Sequence, residues 1–240
     1  MSDLNDPAVV AKEYADESRL AGRRRVWREF GEGPNPDEWI FDAIAERRPG
    51  AALEIGCGWG ELAERVAVEA GAHVTAFDLS ERMAGLAHQR GVRAVVADAQ
   101  AMPFRDRSFD LALANAMLYH VPDLDRGLGE AARVITDGGA FVATTFDAGR
   151  FPELFALVGL EPPEIPFRVE NGVEILGRHF ASVETRAGTG ALLFPNAEEV
   201  RAYLASTITM HHLAREVPSF EGPFRTKRTF AVFVCTNPIR

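Results

Sequence analysis

Glycines stand at every second position in Gly56-Cys57-Gly58-Trp59-Gly60, straight after the short apolar run Ala51-Ala52-Leu53-Glu54-Ile55. An apolar run entering such a turn, with a helix predicted from about Glu61, reads as a strand–turn–helix unit. Glycine removes Cβ where a chain must turn sharply and let a ligand approach its backbone. The helix that follows aims free N–H groups and a positive dipole end at that ligand. The spacing is not the G-x-G-x-x-G of dinucleotide sites. Glu61 stands where the third glycine of that pattern belongs, and an acid there is a poor neighbour for a pyrophosphate. The turn suits a ligand without phosphates.

Two further acids end apolar runs. Asp78 closes His73-Val74-Thr75-Ala76-Phe77, where a carboxylate can accept hydrogen bonds from both hydroxyls of a ribose. A helix N-terminal acid favoured by the dipole is the plainer alternative. Asp98 closes Val92 to Ala97, where a carboxylate can take an adenine amino group and the Ala99 N–H a ring nitrogen. Leu79 and Met83 would floor the adenine, or simply pack in the core.

These residues need a scaffold. From Leu53 onward strands and helices alternate, which argues a parallel sheet with helices on both faces. Strands are predicted at 51–55, 73–77, 92–97, 109–114, 140–145, 180–186 and 229–236. Helices are predicted at 61–70, 81–90 and 124–135. Ligands in such sheets sit at the C-terminal strand ends, where Glu54, Gly56, Asp78, Asp98 and Asn115 all fall. Asp6-Pro7 opens a helix predicted to run to about Arg28, and Asn35-Pro36 opens another. Both precede the first strand and are expected to lie over the cleft as a lid. The run Arg23-Arg24-Arg25 reads as a solvated helix face. Asn196-Ala197-Glu198-Glu199 is a capping box. The division expected is a lid at 1–49, a core at 50–146, and at 147–240 a cap insertion with the closing strands of the same domain.

The chain has 240 residues, 47% of them hydrophobic, enough for one packed domain with decorations. Its 26 basic and 35 acidic residues leave a net charge of −9, which disfavours nucleic acid as a partner. Cys57 and Cys235 give neither a disulfide framework nor a metal-ligand spacing. They read as small buried residues in a reducing compartment. Adjacent His211 and His212 would point about 100° apart on a helix, and no metal is expected. The acidic start at Met1-Ser2-Asp3 has no apolar h-region, so no signal peptide and no membrane partner are expected, and the expected location is cytoplasmic. A homodimer is left open.

Taken in order, Leu53-Glu54-Ile55-Gly56-Cys57-Gly58-Trp59-Gly60, Phe77-Asp78-Leu79-Ser80, Ala97-Asp98-Ala99, Met102-Pro103-Phe104 with Ser108-Phe109-Asp110, and Arg133-Val134-Ile135 before Gly138-Gly139 form a series. The series resembles the S-adenosylmethionine (SAM) domain of class I methyltransferases of the ubiquinone/menaquinone-biosynthesis type, over about residues 50–146. Asn115-Ala116-Met117-Leu118-Tyr119-His120-Val121 is similar to that branch's segment after the fourth strand. The resemblance implies an α/β, doubly wound, Rossmann-like sheet of seven strands with the last antiparallel. It implies SAM as cofactor, S-adenosylhomocysteine (SAH) as product, no metal, and a small-molecule acceptor methylated on O, N or C. Glu54, Gly56, Gly58, Gly60, Asp78, Leu79, Met83, Asp98, Ala99 and Asn115 are then the expected cofactor contacts. Residues 1–49 and 147–240 match no motif, so the acceptor is not readable.

Tyr14 lies three to five residues from Ser18 and Arg19 on the first predicted helix, and the three are expected to share a face. Tyr14 can then cover the methyl site and Arg19 pair with the methionine carboxylate. His120 is the candidate general base, since histidine titrates near neutrality, and Tyr119 can orient the acceptor. For His120 the alternative is a loop-shaping hydrogen bond, and for Tyr14 an anchor packing the lid. Three rival readings bear on the same residues. An NAD(P) oxidoreductase is disfavoured by Glu61 and by the lack of a Tyr-x-x-x-Lys pair. A base-methylating enzyme is disfavoured because Ala116-Met117-Leu118 follows Asn115. A SAM-binding regulatory protein without catalysis stays compatible with the sequence.

Overall fold

The computed structural model describes residues 3–240; Met1 and Ser2, which carry part of the acidic start, lie outside the described residues. After a 3-10 turn at Asp3–Asn5 come helices α1 (Pro7–Glu13) and α2 (Ser18–Phe30), the two-residue strand β1 (Gly31–Glu32) and α3 (Pro36–Ala45). The alternating part follows as β2 (Ala51–Ile55), α4 (Glu61–Glu69), β3 (His73–Asp78), α5 (Glu81–Gln89), β4 (Arg93–Val96), β5 (Phe109–Asn115), α6 (Leu124–Val134) and β6 (Ile135–Phe146). The chain ends with α7 (Pro152–Leu157), α8 (Gly172–Leu176), β7 (Phe180–Phe194), α9 (Ala197–Ala205) and β8 (Phe224–Pro238).

The strands form one 8-stranded sheet in the order β1-β7-β8-β6-β5-β2-β3-β4. The expected seven strands are all there, and β1 adds a two-residue edge strand paired with Ala191 and Leu192 of β7. Strands β2 to β6 pair in parallel, and β8 lies antiparallel between β6 and β7. The chain runs outward from β2 through β3 to β4, then returns on the other side of β2 as β5. That reversal opens a crevice at the carboxyl ends of β2 and β5, where Glu54 and Asn115 stand. Leu53, Leu111, Ala112, Phe141 and Val142 are wholly buried, as strands covered on both faces must be.

Two expectations about elements are corrected. Strands β7 and β8 run to Phe194 and from Phe224, pairing in a single register from Phe180↔Pro238 to Phe194↔Phe224. The predicted 180–186 and 229–236 stopped short because Gly188 and Gly190 weaken the local strand signal, which pairing with a long partner overrides. The helix predicted from Pro7 to Arg28 is broken at Tyr14–Glu17. Asp16 Oδ1 accepts from the Ser18 N–H at 2.8 Å and also from the Ser18 hydroxyl. Short polar side chains that bond nearby backbone compete with the helix in this way. Tyr14 becomes the C-cap of α1, and Ser18 and Arg19 start a new helix, so the three do not share one face.

The arginine run is not a solvated face either. Arg23 pairs with buried Glu13 and donates to Ser206 O at 2.8 Å. Arg24 pairs with Asp37 of α3 at 3.0 Å and with Glu61 of α4 at 2.8 Å. Arg25 pairs with Glu29 and with Glu199 of α9. Consecutive residues on a helix point about 100° apart, so each arginine fastens α2 to a different element. A second apolar cluster, separate from the sheet core, packs Val26 of α2 against Phe151, Phe194 and Tyr203. Among the described residues no helix is long and apolar enough to cross a membrane.

Candidate functional site

The crevice widens into a cavity of about 630 Å³. Glu54, Gly56, Gly58, Asp78, Leu79, Asp98, Ala99, Asn115, Tyr14, Tyr119 and His120 line it, as expected of each. Three expected residues do not. Met83 is 0% exposed in the core, because it lies on the face of α5 that packs on the sheet. Arg19 leads off α2 outside the cavity, a consequence of the break at Tyr14–Glu17. Gly60 serves the turn alone. It sits at φ +81°, and a Cβ there would meet Ala87 Cβ at 2.7 Å and Ala87 Cα at 2.9 Å. Glycine is needed to bring α4 against α5, which is a packing requirement.

The glycine turn is held by Asp78. Asp78 Oδ2 accepts from the Gly58 N–H at 2.8 Å and Oδ1 from the Ser80 N–H at 2.9 Å. Burial pushes the Asp78 carboxyl up, and these backbone donors work against that rise. Asp78 therefore both braces the turn and faces the cavity. Gly56 has φ +66°, and a Cβ there would meet Met117 Cε at 2.9 Å. Met117, from the loop after β5, thus packs directly on the turn. Glu61 accepts from Arg24 and, at 3.1 Å, from Trp59 Nε1. The acid that argued against a pyrophosphate is locked into an ion pair at the cavity wall.

Glu54 is 3% exposed, and among the described residues its Oε2 has no hydrogen-bond partner. Burial pushes its carboxyl up to about 8, opposed by the Ala63 N–H and reinforced by the neighbouring Asp78 charge. A buried acceptor left unmet is costly unless something else meets it. Asn115 Oδ1 accepts from the Thr144 hydroxyl at 2.6 Å, and Asn115 Nδ2 reaches Asp37 Oδ1 at 3.4 Å. Leu79 is 53% exposed, an apolar side chain held open at the cavity rim, as a flat aromatic ring would need.

The chemistry of this set fits SAM. Its adenosine would meet Asp78, Leu79, Asp98 and Ala99, and its methionine ammonium would meet the unpaired Glu54 oxygen. Loop Met102-Pro103-Phe104, part of the motif series, is fixed by Arg133. That guanidinium donates to Phe104 O at 2.8 Å and Met102 O at 3.1 Å.

At the lid side His120 is gripped from both ends. Its Nδ1 is 2.7 Å from Leu4 O, and its Nε2 is 3.0 Å from the Tyr14 hydroxyl. A carbonyl can only accept, so Nδ1 carries the proton and Nε2 accepts from the Tyr14 O–H. Burial, with the Arg23 and Arg150 charges adding, lowers His120 to about 4, so the ring is neutral at pH 7. Burial also raises the Tyr14 phenol well above its usual range. Tyr14 is tied a second time, by the Ser80 hydroxyl donating to Tyr14 O at 2.8 Å. Tyr119 packs edge-on against His120 with ring centres 4.6 Å apart. The bridge joins the N-terminal segment, the loop after β5 and the start of α5.

Sequence reasoning missed Asp37, Met117, Tyr203 and Arg228, which also line the cavity. Asp37 could have been found from its place in the first turn of the Asn35-capped helix. Met117 lies in the segment after the fourth strand that the resemblance already marked, and nothing local marks Tyr203 and Arg228. His211 and His212, singled out as adjacent, have ring centres 5.9 Å apart, and His211 Nδ1 bonds Ile208 O. Cys57 and Cys235 are buried free thiols.

The fold is the Rossmann-like α/β fold that class I methyltransferases share. Residues 53–143 match the family model described as a methyltransferase domain. The chain is 42% identical over 117 residues to malonyl-[acyl-carrier protein] O-methyltransferase of Pseudescherichia vulneris, covering 48% of this chain and 46% of that protein. It is 32% identical over 158 residues to the ubiquinone/menaquinone biosynthesis C-methyltransferase of Brucella abortus (strain S19), covering 60% of this chain and 56% of that protein. The chain spans about half the length of the curated relatives it matches. Among solved structures it is similar to phosphoethanolamine N-methyltransferase 2 of Haemonchus contortus in complex with SAM, with TM-score 0.66, 18% identity, and coverage of 100% of this chain and 61% of that one. It is similar also to the [4+2]-cyclase SpnF, with TM-score 0.60, 20% identity and 96% coverage of each chain. At those identities the likeness is one of fold.

Proposed function

We propose that this protein is a SAM-dependent methyltransferase acting on a small molecule. The observation that carries the reading is the glycine turn braced by Asp78 beside the buried, unpaired Glu54 oxygen. Relatives that methylate an acyl carrier's malonyl group or a quinone precursor support the transfer, and they differ in acceptor, so the acceptor is not carried over. The net charge of −9 supports a partner other than nucleic acid.

The cofactor supplies a methyl group already activated on a positive sulfonium. The chain's own residues supply binding, alignment and exclusion of water. Asp78, Leu79, Asp98 and Ala99 fix the adenosine end, and Glu54 and Asn115 fix the amino-acid end. Helices α1 to α3 close the cavity as a lid. Orientation within such an enclosure can remove on the order of 7 kcal/mol or more from a barrier. Residues 50–146 act as the cofactor core and 147–240 as a cap that shapes the acceptor end.

In this reading His120 is a positioning residue and not the base. Its Nε2 lone pair is already taken by Tyr14, and a conjugate acid near pKa 4 makes a weak proton acceptor at pH 7. Tyr14 and His120 latch the lid, with Tyr119 packed beneath. The test is calorimetric titration with SAM, SAH and NAD, followed by a labelled-methyl screen against a metabolite extract. SAM and SAH should bind and NAD should not, with label appearing in a small molecule. Binding of NAD alone would overturn the reading. Binding of SAH with no transfer would favour a fold-mate like the cyclase, in which the same fold serves another reaction.

A further inference from the structure

At the cap end of the cavity stands a cation without an ion-pair partner among the described residues. Arg228 of β8 is 3% exposed. Its Nη2 donates to Pro34 O at 3.1 Å, and its Nε is buried without any acceptor. Among the described residues no carboxylate comes within ion-pair distance of it. Asp37 is close enough to be felt, yet that carboxylate is already held by Arg24 at 3.0 Å. A buried charge is expensive unless it is paired. The guanidinium lies 4.5 Å over the Trp27 ring, which steadies it without neutralising it.

A second orphan stands in the same wall. Tyr203 of α9 is 1% exposed and lines the cavity, and its hydroxyl has no hydrogen-bond partner. Its ring packs edge-on against Phe151 at 5.6 Å. Trp27, under Arg228, packs on the same Phe151 at 6.0 Å and on Phe146 at 5.2 Å. Arg150 lies over Phe146 and Phe151 at 5.1 and 5.2 Å. Arg228, Tyr203 and Arg150 therefore surround one aromatic trio, and all three face the cavity. The third arginine nearby, Arg23, is neutralised by Glu13.

We infer that the methyl acceptor carries an oxyanion, a carboxylate or a phosphate, held at the cap end by Arg228 and the Tyr203 hydroxyl. This rests on the proposed transfer and names the substrate class of that site. Planar guanidinium forks match such oxyanions, and a phenol adds one further donor. The methionine carboxylate of the cofactor is the rival occupant. It is disfavoured by distance. Strand β8 lies three strands from β2, which bears Glu54, and strands are spaced 4.7–4.9 Å, so the two backbones stand roughly 14 Å apart across the sheet. Arg228 thus marks the far end of the acceptor, and Trp27 and Phe146, which line the cavity, accept the acceptor's apolar body.

The test uses the full chain, free and saturated with SAH, titrated at constant ionic strength with inorganic phosphate, acetate and the neutral isostere acetamide. Phosphate or acetate should bind the SAH complex while acetamide does not, and the tighter anion tells which oxyanion the acceptor bears. Arg228→Gln should weaken that binding tenfold or more and Tyr203→Phe several-fold, with SAH affinity unchanged within twofold in both. Should Arg228→Gln fail to fold, Arg228→Lys and Tyr203→Phe carry the test, since Arg228→Lys keeps the charge and loses the fork. Acetamide binding as well as acetate, or anion binding indifferent to these variants, would overturn the inference. So would loss of SAH affinity in step with anion affinity, which would give Arg228 to the cofactor. No SAH binding at all would instead sink the proposed transfer, and the anion arm on the free chain would still be read.

Discussion

The Tyr14 hydroxyl donates to His120 Nε2 at 3.0 Å across 106 positions of the chain, while His120 Nδ1 donates to Leu4 O at 2.7 Å. One imidazole thereby ties two points of the N-terminal segment to the loop after β5. Tyr14→Phe leaves a buried ring nitrogen without its donor, a loss of about 1–3 kcal/mol. His120→Ala removes both ties. Both variants should melt at lower temperature and bind SAH more weakly, the alanine more so. Turnover should fall modestly and should not recover at high pH. A drop in kcat of about 10²-fold or more with SAH affinity and melting unchanged would instead make the pair a proton relay.

Asp78 faces two ways, and substitution should show both. Asp78→Ala loses the acceptors for Gly58 N–H and Ser80 N–H, charge-assisted bonds of about 1.5–3 kcal/mol each. Melting temperature and SAM affinity should fall together. Asp78→Asn can keep one backbone acceptor, so it should recover part of the stability and little of the affinity. Calorimetry beside thermal melts separates the two. Equal recovery of both would mean that Asp78 only braces the turn.

Glu54 and His120 set opposite ends of a pH window. Glu54 is raised from 4.5 to about 8 in the fold, so its neutral form is favoured there, and stability is lost as pH rises from 4.5 through 8. His120 is lowered from 6.5 to about 4, so stability is lost as pH falls from 6.5 through 4. Thermal melts across this range should show the alkaline decline flattened in Glu54→Gln with the acid limb intact. An unchanged alkaline limb would remove Glu54 as its source.

Two glycines of one turn should fail differently. Alanine at Gly60 must occupy a left-handed conformation, about 1–2 kcal/mol, and meets Ala87 Cα at 2.9 Å, backbone that cannot yield. Alanine at Gly56 has similar strain, yet meets the flexible end of Met117. Gly60→Ala should lower melting temperature the more. Gly56→Ala should weaken SAH binding at a smaller loss of stability, because Gly56 lines the cavity. The reverse ranking in melts and titrations would refute this division.

The cofactor half of the protein was legible because its signals are local. A strand, a glycine turn and a helix N-terminus are adjacent in sequence, and an acid at a strand end is placed by the strand itself. Glu54, Gly56, Asp78 and Asp98 could be located by period and turn chemistry alone. The parallel pairing of β2 to β6 followed from βα alternation, and Asn196 capped its helix as its spacing required. What stayed hidden depends on partners far along the chain. The Tyr14–Glu17 break rests on an aspartate–serine bond that competes with the helix, so Tyr14 and Arg19 parted. Three consecutive arginines looked solvated until tertiary structure brought Glu13, Asp37 and Glu199 to them. Arg228 and Tyr203 lie in segments whose local pattern carries no chemistry. Only the packing of β8 and α9 against α2 strips water from them, and that desolvation turns an ordinary arginine and tyrosine into unmet donors facing the cavity.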